Sequence, residues 1–136
     1  DRLMQLIEAK ISDRRLLDLM RCFLDQSILE ELQEWTPDAG VPQGAVLSPL
    51  LSNLYLNELD HRMASLGYEM VRYADDFLIL CRSQDQAEAA LEEVKCFVDE
   101  AGLTLHTDKT LIVASREKSF DFLGYSFRGK LRFPRA

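Results

Sequence analysis

Two adjacent aspartates lie between two apolar runs in the stretch Tyr68-Glu69-Met70-Val71-Arg72-Tyr73-Ala74-Asp75-Asp76-Phe77-Leu78-Ile79-Leu80-Cys81. Both runs are rich in β-branched and aromatic residues, so the stretch predicts a strand, a turn and a second strand. Adjacent carboxylates at the tip of a buried hairpin are unfavourable, because each loses water and each repels the other. A bound cation offsets that penalty, and Mg²⁺ prefers hard oxygen ligands while it keeps water for a phosphate substrate. Taken alone, the four residues Tyr73-Ala74-Asp75-Asp76 leave open an alternative, which is an ordinary turn with two solvated aspartates.

Further blocks of residues accompany the aspartates in a fixed order. Upstream lies Gly40-Val41-Pro42-Gln43-Gly44, followed by Ser48-Pro49. Downstream lie Gly102-Leu103-Thr104-Leu105, Lys109-Thr110 and Phe122-Leu123-Gly124-Tyr125. In this order and spacing the set resembles the reverse transcriptases of bacterial group II introns (retron-type enzymes) and their relatives, over nearly the whole chain. Ala74 suits this bacterial branch better than the retroviral branch, which usually carries Met there.

Bulk composition is that of an ordinary globular protein. The chain has 136 residues, of which 47% are hydrophobic and 29% charged, and this length predicts one domain. No apolar run is long enough to span a membrane, and the chain does not open with a basic-then-apolar leader, so a cytoplasmic location is expected. Cys22, Cys81 and Cys96 are odd in number and lack zinc-ligand spacing, which predicts reduced, small core residues.

Net charge argues against a simple nucleic-acid-binding surface. The formal charge is −7 with a pI near 4.8, whereas a protein that grips nucleic acid usually presents a basic face. The resemblance offers an explanation, since it places most basic surface on fingers and thumb regions. It also places the first metal-binding aspartate shortly before the position of Asp1. We therefore expect residues 1–136 to be a partial reverse transcriptase domain, the palm, without fingers, first aspartate or thumb.

Hydrophobic periodicity predicts helices alternating with paired strands. Helices are expected over residues 3–10, 13–26, 48–66 and 83–101, with Asp13, Ser48 and Ser83 as N-caps and Gly67 and Gly102 as terminators. Strand candidates outside the aspartate hairpin are residues 28–32, 110–114, 120–127 and 130–133. The fold class predicted is α+β, an antiparallel sheet with helices packed on one face, as in a polymerase palm.

The resemblance implies a two-metal polymerase site built on Asp75 and Asp76. Asp75 would be the principal catalytic metal ligand and Asp76 an auxiliary ligand, with Mg²⁺ as the cofactor and Mn²⁺ as a substitute. With the third carboxylate absent, we expect poor metal affinity. The resemblance places eight further residues at the nucleotide or the primer–template: Pro42, Gln43, Gly44, Tyr73, Ala74, Lys109, Gly124 and Tyr125.

Several of these residues also have an ordinary structural interpretation. Tyr73 is either a sheet-packing aromatic or a neighbour of the primer end, and Lys109 either a solvated charge or a group near the triphosphate. Tyr125 serves equally well as a sheet residue. Gln43 offers a donor and an acceptor suited to ribose or to minor-groove base edges. Arg72 either touches template phosphate or pairs with an acidic neighbour.

Three functions follow from these expectations. The first is RNA-directed DNA synthesis with an RNA template, a DNA primer and dNTPs as partners, although the isolated fragment is expected to be inactive. The second is an RNA-binding, maturase-type role in splicing, with intron RNA as the partner. The third is a non-catalytic interaction module, which the acidic pI favours slightly.

Overall fold

The computed structural model describes residues 2–24, 28–30, 33–35 and 46–134. Within them the chain forms helices α1 (Arg2–Glu8), α2 (Arg14–Leu24), α3 (Ser48–Ser65) and α4 (Gln84–Glu100). The strands are β1 (Ile28–Glu30), β2 (Gln33–Trp35), β3 (Glu69–Tyr73), β4 (Asp76–Leu80), β5 (Phe120–Phe122), β6 (Tyr125–Arg128) and β7 (Leu131–Pro134). None of the helices described is both long enough and apolar enough to cross a membrane.

All strand pairs in the described residues are antiparallel, which confirms the predicted α+β class. The strands do not join into one sheet, however. They form a β1–β2 hairpin, a β3–β4 hairpin and a three-stranded β5–β6–β7 meander. Each of these pairs is consecutive in sequence, so short local turns account for the pairing that is seen.

The chain divides into two compact units, residues 1–58 and 59–136. In the first, apolar side chains of α1, α2 and α3 form a core whose most buried members are Leu3, Ile7, Met20 and Leu51. Asp13 caps α2 as predicted, because its carboxylate accepts from the backbone N–H groups of Arg15 at 2.8 Å and Leu16 at 3.3 Å.

The second unit has its core where the end of α3 and the inner stripe of α4 contribute buried side chains. These are Leu59, Met63, Ala90, Val94, Phe97, Val98 and Ala101. Arg62 on α3 bridges Glu93 and Glu100 on α4, with N–O distances of 3.2 and 2.8 Å. The ion pairs of Arg62 therefore join the two helices of this unit.

Helix α3 ends at the predicted glycine. Gly67 has a φ of 80°, its N–H donates to Ala64, and the N–H of Tyr68 donates back to Met63. This pair of bonds is a Schellman motif, and it satisfies carbonyls that the helix end would leave open. The chain is thereby turned directly into β3, the first strand of the aspartate hairpin.

The predicted N-cap of α3 is one residue too late, whereas that of α4 is correct. The Leu51 N–H donates to the Leu47 carbonyl at 3.0 Å, so Leu47 is the N-cap of α3 and Ser48 is the first helical residue. Ser83 caps α4 as predicted, since its hydroxyl accepts from the Gln86 N–H.

The predicted strand at residues 110–114 is wrong. These residues form no regular element, and Leu111 is 72% exposed. The stretch is rich in β-branched residues, but such propensity is expressed only against a partner strand and a packing surface.

The prediction that the cysteines are core residues is wrong for two of them. Cys22 and Cys96 are exposed, whereas Cys81 is half-buried. Both exposed cysteines lie on helices whose apolar stripe is completed by other side chains. Burial raises the pKa of the Cys81 thiol above its ordinary value.

Alkylation should distinguish Cys81 from the other cysteines. A raised pKa means less thiolate at every pH below that value, so Cys81 should react more slowly with iodoacetamide than the exposed Cys22 and Cys96. The deficit should narrow as pH rises through the raised pKa. Mass spectrometry of the labelled peptides checks this, with urea-unfolded protein as the control in which the three rates converge. Equal rates in folded protein at neutral pH would contradict the burial of Cys81.

Leu59→Ala should destabilise the second unit, because Leu59 is 1% exposed at the centre of its core. We expect a loss of about 2–5 kcal/mol in the free energy of unfolding, from lost burial and the residual cavity. Leu111→Ala is the matched control, and it should change stability by less than about 0.5 kcal/mol. Urea unfolding followed by circular dichroism measures both, and equal losses would contradict the assigned core.

Candidate active site

The β3–β4 hairpin brings Tyr73, Ala74, Asp75 and Asp76 together at one tip. Strand pairing runs in register from Glu69 opposite Leu80 to Tyr73 opposite Asp76. Ala74 and Asp75 are therefore the two residues of a tight turn. The strand–turn–strand structure predicted from the apolar runs is confirmed.

The tip of this hairpin is exposed, which corrects the expectation of a buried turn. Asp75 and Asp76 are both exposed, and Tyr73 is 67% exposed. The two carboxylates keep their water, so the desolvation penalty does not arise and the fold tolerates them without a cation. The exposure instead leaves both side chains accessible to ligands from solvent.

The two faces of the hairpin differ in their surroundings. Tyr73, Val71 and Leu80 lie on one face with Asp76 and are more than half exposed. Arg72 lies on the opposite face, and its side chain is only 10% exposed. Arg72 is thus directed into the protein, while the neighbouring Tyr73 is directed toward solvent.

Arg72 ties the hairpin to α3. Its guanidinium donates from Nε to Asp60 Oδ1 at 2.8 Å and from Nη2 to Asp60 Oδ2, a bidentate ion pair. Its Nη1 donates to the carbonyl oxygen of Ala74 at 2.8 Å. The hydrogen bonds to Asp60 raise the pKa of the Arg72 guanidinium above its ordinary value. Of the two interpretations that the sequence left open for Arg72, the structure supports the acidic neighbour.

Ala74 adopts a backbone conformation that alanine disfavours. Its φ is 54°, and it occupies the first of the two turn positions. In two-residue hairpin turns in which only the first turn residue has a positive φ, that residue is usually glycine. A left-handed conformation costs an L-residue about 1–2 kcal/mol. Such strain persists where surrounding contacts fix the conformation, and it is frequent at functional turns.

The donor set at the tip fits a magnesium site of the open kind. Mg²⁺ is commonly held by one or two carboxylates together with water and substrate phosphates. Asp75 and Asp76 provide two carboxylates on adjacent residues, both facing solvent. Among the residues that the structure describes, no group of three or more His, Cys, Asp or Glu side chains is placed to hold a metal.

The Phe122-Leu123-Gly124-Tyr125 block forms a second hairpin, in the separate β5–β7 meander. Phe122 pairs with Tyr125, and both turn residues have positive φ, 50° at Leu123 and 78° at Gly124. This is the pattern of a type I′ turn, in which the second position strongly favours glycine. Tyr125 is 44% exposed, with the Arg132 guanidinium 5.7 Å from its ring centroid.

The structure gives less information about the other predicted site residues. Lys109 is exposed in a turn, where its N–H donates to the His106 carbonyl at 3.1 Å. Pro42, Gln43 and Gly44 lie outside the described residues. Asp60 was missed by sequence reasoning, because a single aspartate on a helix gives no signal of an ion pair with a residue twelve positions away.

The chain that carries the motif blocks described above also matches known proteins. The family described as reverse transcriptase (RNA-dependent DNA polymerase) matches residues 2–127. The chain therefore belongs to the reverse transcriptase family, as its motifs predicted.

Individual relatives match over parts of the chain. The group II intron-encoded protein LtrA of Lactococcus lactis subsp. cremoris is 41% identical over 70 residues, which cover 52% of this chain and 12% of LtrA. The Gag-Pol polyprotein of avian leukosis virus subgroup A is 34% identical over 87 residues, covering 62% of this chain and 5% of the polyprotein. Protein YkfC of Escherichia coli strain K12 is 28% identical over 160 aligned positions, covering 90% of this chain and 41% of YkfC. The similarity to LtrA supports the group II intron branch that the motifs predicted.

Substitutions at Gly124 test the second hairpin. Gly124→Ala should lower the free energy of unfolding by about 1–2 kcal/mol, because alanine is strained at a positive φ. Apart from Gly124 itself and its two chain neighbours, no atom lies within 4 Å of a Cβ placed at this position, so contact with other residues would not explain the loss. Gly124→Asn is the matched control: asparagine tolerates the left-handed region, and its loss should be smaller. Urea unfolding measures both variants, and a larger loss for asparagine than for alanine would contradict the assigned turn.

Proposed function

We propose that this chain carries part of the catalytic centre of an RNA-directed DNA polymerase of the group II intron type. The observation that supports the proposal most is the exposed Asp75–Asp76 pair on a turn held from behind by Arg72 and Asp60. A polymerase needs carboxylates that are accessible to metal and nucleotide yet fixed in position. Membership of the reverse transcriptase family gives the reaction class in which such a pair is used.

The reaction is nucleotidyl transfer. The primer 3′ oxygen forms a bond to the α-phosphorus of a dNTP, the bond to pyrophosphate breaks, and the 3′-hydroxyl proton is released. Bound Mg²⁺, or Mn²⁺ as a substitute, supplies charge stabilisation for the attacking and leaving oxygens. In this proposal Asp75 is the principal ligand in the chain and Asp76 an auxiliary one. The rigid turn keeps their oxygens where the triphosphate arrives.

Other residues would bind the substrates. We assign Pro42, Gln43 and Gly44 to the nascent base pair and the nucleotide sugar, where the amide of Gln43 can both donate and accept. Lys109 would neutralise charge on the leaving pyrophosphate. These assignments rest on the resemblance of the motif blocks to those of the family.

The primer is assigned to two exposed turns. We assign Tyr73, with Ala74 beside it, to the primer end; the 67% exposure of Tyr73 supports the assignment, because it leaves the ring accessible for such a contact. Gly124 and Tyr125 form the second turn, where a glycine lets the primer backbone approach closely. The template would be RNA and the primer DNA.

A splicing role is the second candidate. LtrA is named as a group II intron-encoded protein, and the 41% identity to it supports a role for this chain in binding intron RNA. Such a role does not require metal-binding carboxylates at the hairpin tip. Synthesis and RNA binding are therefore separable by substitution of Asp75.

Asp75→Asn in the full-length protein should reduce primer extension on an RNA template by about 10³-fold or more, because a metal clamp contributes several kcal/mol at the transition state. Asp76→Asn should reduce it less. The measurement is single-nucleotide incorporation with Mg²⁺, with primer–template binding followed in parallel by fluorescence anisotropy.

Asp99→Asn is the control for this experiment. It removes an exposed carboxylate from α4 and should leave the incorporation rate unchanged. Unaltered synthesis by Asp75→Asn would refute the polymerase site. Intact splicing by the same variant would separate the RNA-binding role from synthesis.

A further inference from the structure

Arg72 occupies a position from which it controls the catalytic turn without facing the substrate side. It precedes Tyr73 in the chain, and its side chain lies on the hairpin face opposite to Tyr73 and Asp76. With 10% of its side chain exposed, it presents little surface to a template phosphate. The identified donors of its guanidinium are directed to Asp60 and to the Ala74 carbonyl.

The hydrogen bond to Ala74 acts on Asp75 through the planar peptide. The carbonyl oxygen of Ala74 lies in one rigid plane with the nitrogen and the Cα of Asp75. Fixing that oxygen at 2.8 Å from Arg72 therefore fixes the orientation of the peptide from which the Asp75 side chain projects. A rotation of this peptide would move the carboxylate without breaking any strand pairing.

The same bond acts on a strained residue. Ala74 has a φ of 54°, so the turn has other conformations available that alanine prefers. Because its carbonyl acceptor is held by the Arg72 guanidinium, the turn is biased toward the observed conformation.

Asp60, which holds the Arg72 guanidinium, is itself fixed by its place on α3. Asp60 lies next to Leu59, which is 1% exposed. It is also less than one helical turn before Met63, which is fully buried. Its carboxylate accepts two hydrogen bonds from the guanidinium, and this fork fixes the guanidinium plane as well as its position. The α3 core thus determines where Nη1 lies.

We infer that Arg72 and Asp60 are positioning residues for the Asp75 carboxylate: the pair sets the Ala74–Asp75 peptide of the catalytic turn from the helix behind it. This inference rests on the proposed function, since it assigns the pair a role toward metal and nucleotide. It adds two residues to the machinery of the turn that touch neither substrate nor metal.

Arg72→Lys is the variant that tests the inference. Lysine keeps the charge but lacks the planar fork, so it cannot hold Asp60 with two bonds and reach the Ala74 carbonyl at the same time. In the full-length protein we expect Mn²⁺ binding, measured by electron paramagnetic resonance, to weaken by about tenfold, the range typical of outer-shell substitutions. The Mg²⁺ concentration for half-maximal synthesis should rise in parallel, with little change in primer–template affinity.

Asp60→Asn tests whether the two residues act as one unit. It should weaken Mn²⁺ binding in the same direction as Arg72→Lys. The double variant should lose little more than Arg72→Lys alone, because residues that act through one network are not additive. Additive losses would overturn the coupling.

Arg62→Lys is the matched control. Arg62 lies on the same helix and pairs with Glu93 and Glu100, away from the hairpin turn. It should leave Mn²⁺ binding within about twofold of the unsubstituted protein, as expected of an exposed ion pair. Thermal unfolding of all variants identifies any change that reflects loss of folded protein. An equal effect of Arg62→Lys on metal binding would overturn the specific role of Arg72.

The outcomes separate this inference from the function on which it rests. If Asp75→Asn abolishes Mn²⁺ binding while Arg72→Lys leaves it unchanged, the positioning role is overturned and the polymerase site stands. If Asp75→Asn leaves Mn²⁺ binding unchanged, the metal site itself is refuted. If Arg72→Lys instead weakens primer–template binding and flattens its salt dependence at constant metal affinity, Arg72 is a phosphate contact and the inference fails.

Discussion

The bidentate ion pair between Arg72 and Asp60 is the interaction on which the hairpin depends for its attachment to α3. A two-stranded hairpin by itself is marginally stable in water, and β3–β4 has no third strand among the described residues. It therefore needs contacts on one face. Arg72 supplies a charged contact on that face, with two hydrogen bonds to a helix residue and one back to the hairpin's own turn.

This arrangement separates paired charge from unpaired charge. The half-buried ion pair lies behind the hairpin, where each partner satisfies the other, whereas Asp75 and Asp76 remain exposed at the tip. Burying a charge is tolerated when it is paired and hydrogen-bonded. The tip carboxylates have no such requirement, because water satisfies them in the free protein. The hairpin can therefore be rigid at its base and accessible at its end.

Much of this hairpin was predictable, because its information is local. Two apolar runs flanking a short turn specify strand pairing within fourteen residues, and glycines at 67 and 102 mark helix ends by a conformation that other residues resist. The strand expected at 110–114 failed for a non-local reason, since none of the strands that the structure describes pairs with it. The exposure of the tip was missed for a similar reason. The apolar runs beside the turn indicate that one face of the hairpin is packed against the protein, but they do not show which residues extend past that packing into solvent.

The Asp60–Arg72 contact shows where sequence reasoning ends. Both residues are charged and common, and each has several partners within reach by sequence distance alone. The Schellman turn at Gly67 connects the end of α3 to β3, and Arg72 on β3 pairs with Asp60 on α3. One residue of slip in β3 would direct position 72 to the opposite face, because strand side chains alternate. The turn that ends α3 sets where β3 begins. It therefore also sets how accurately the Arg72 hydrogen bond orients the Ala74 peptide.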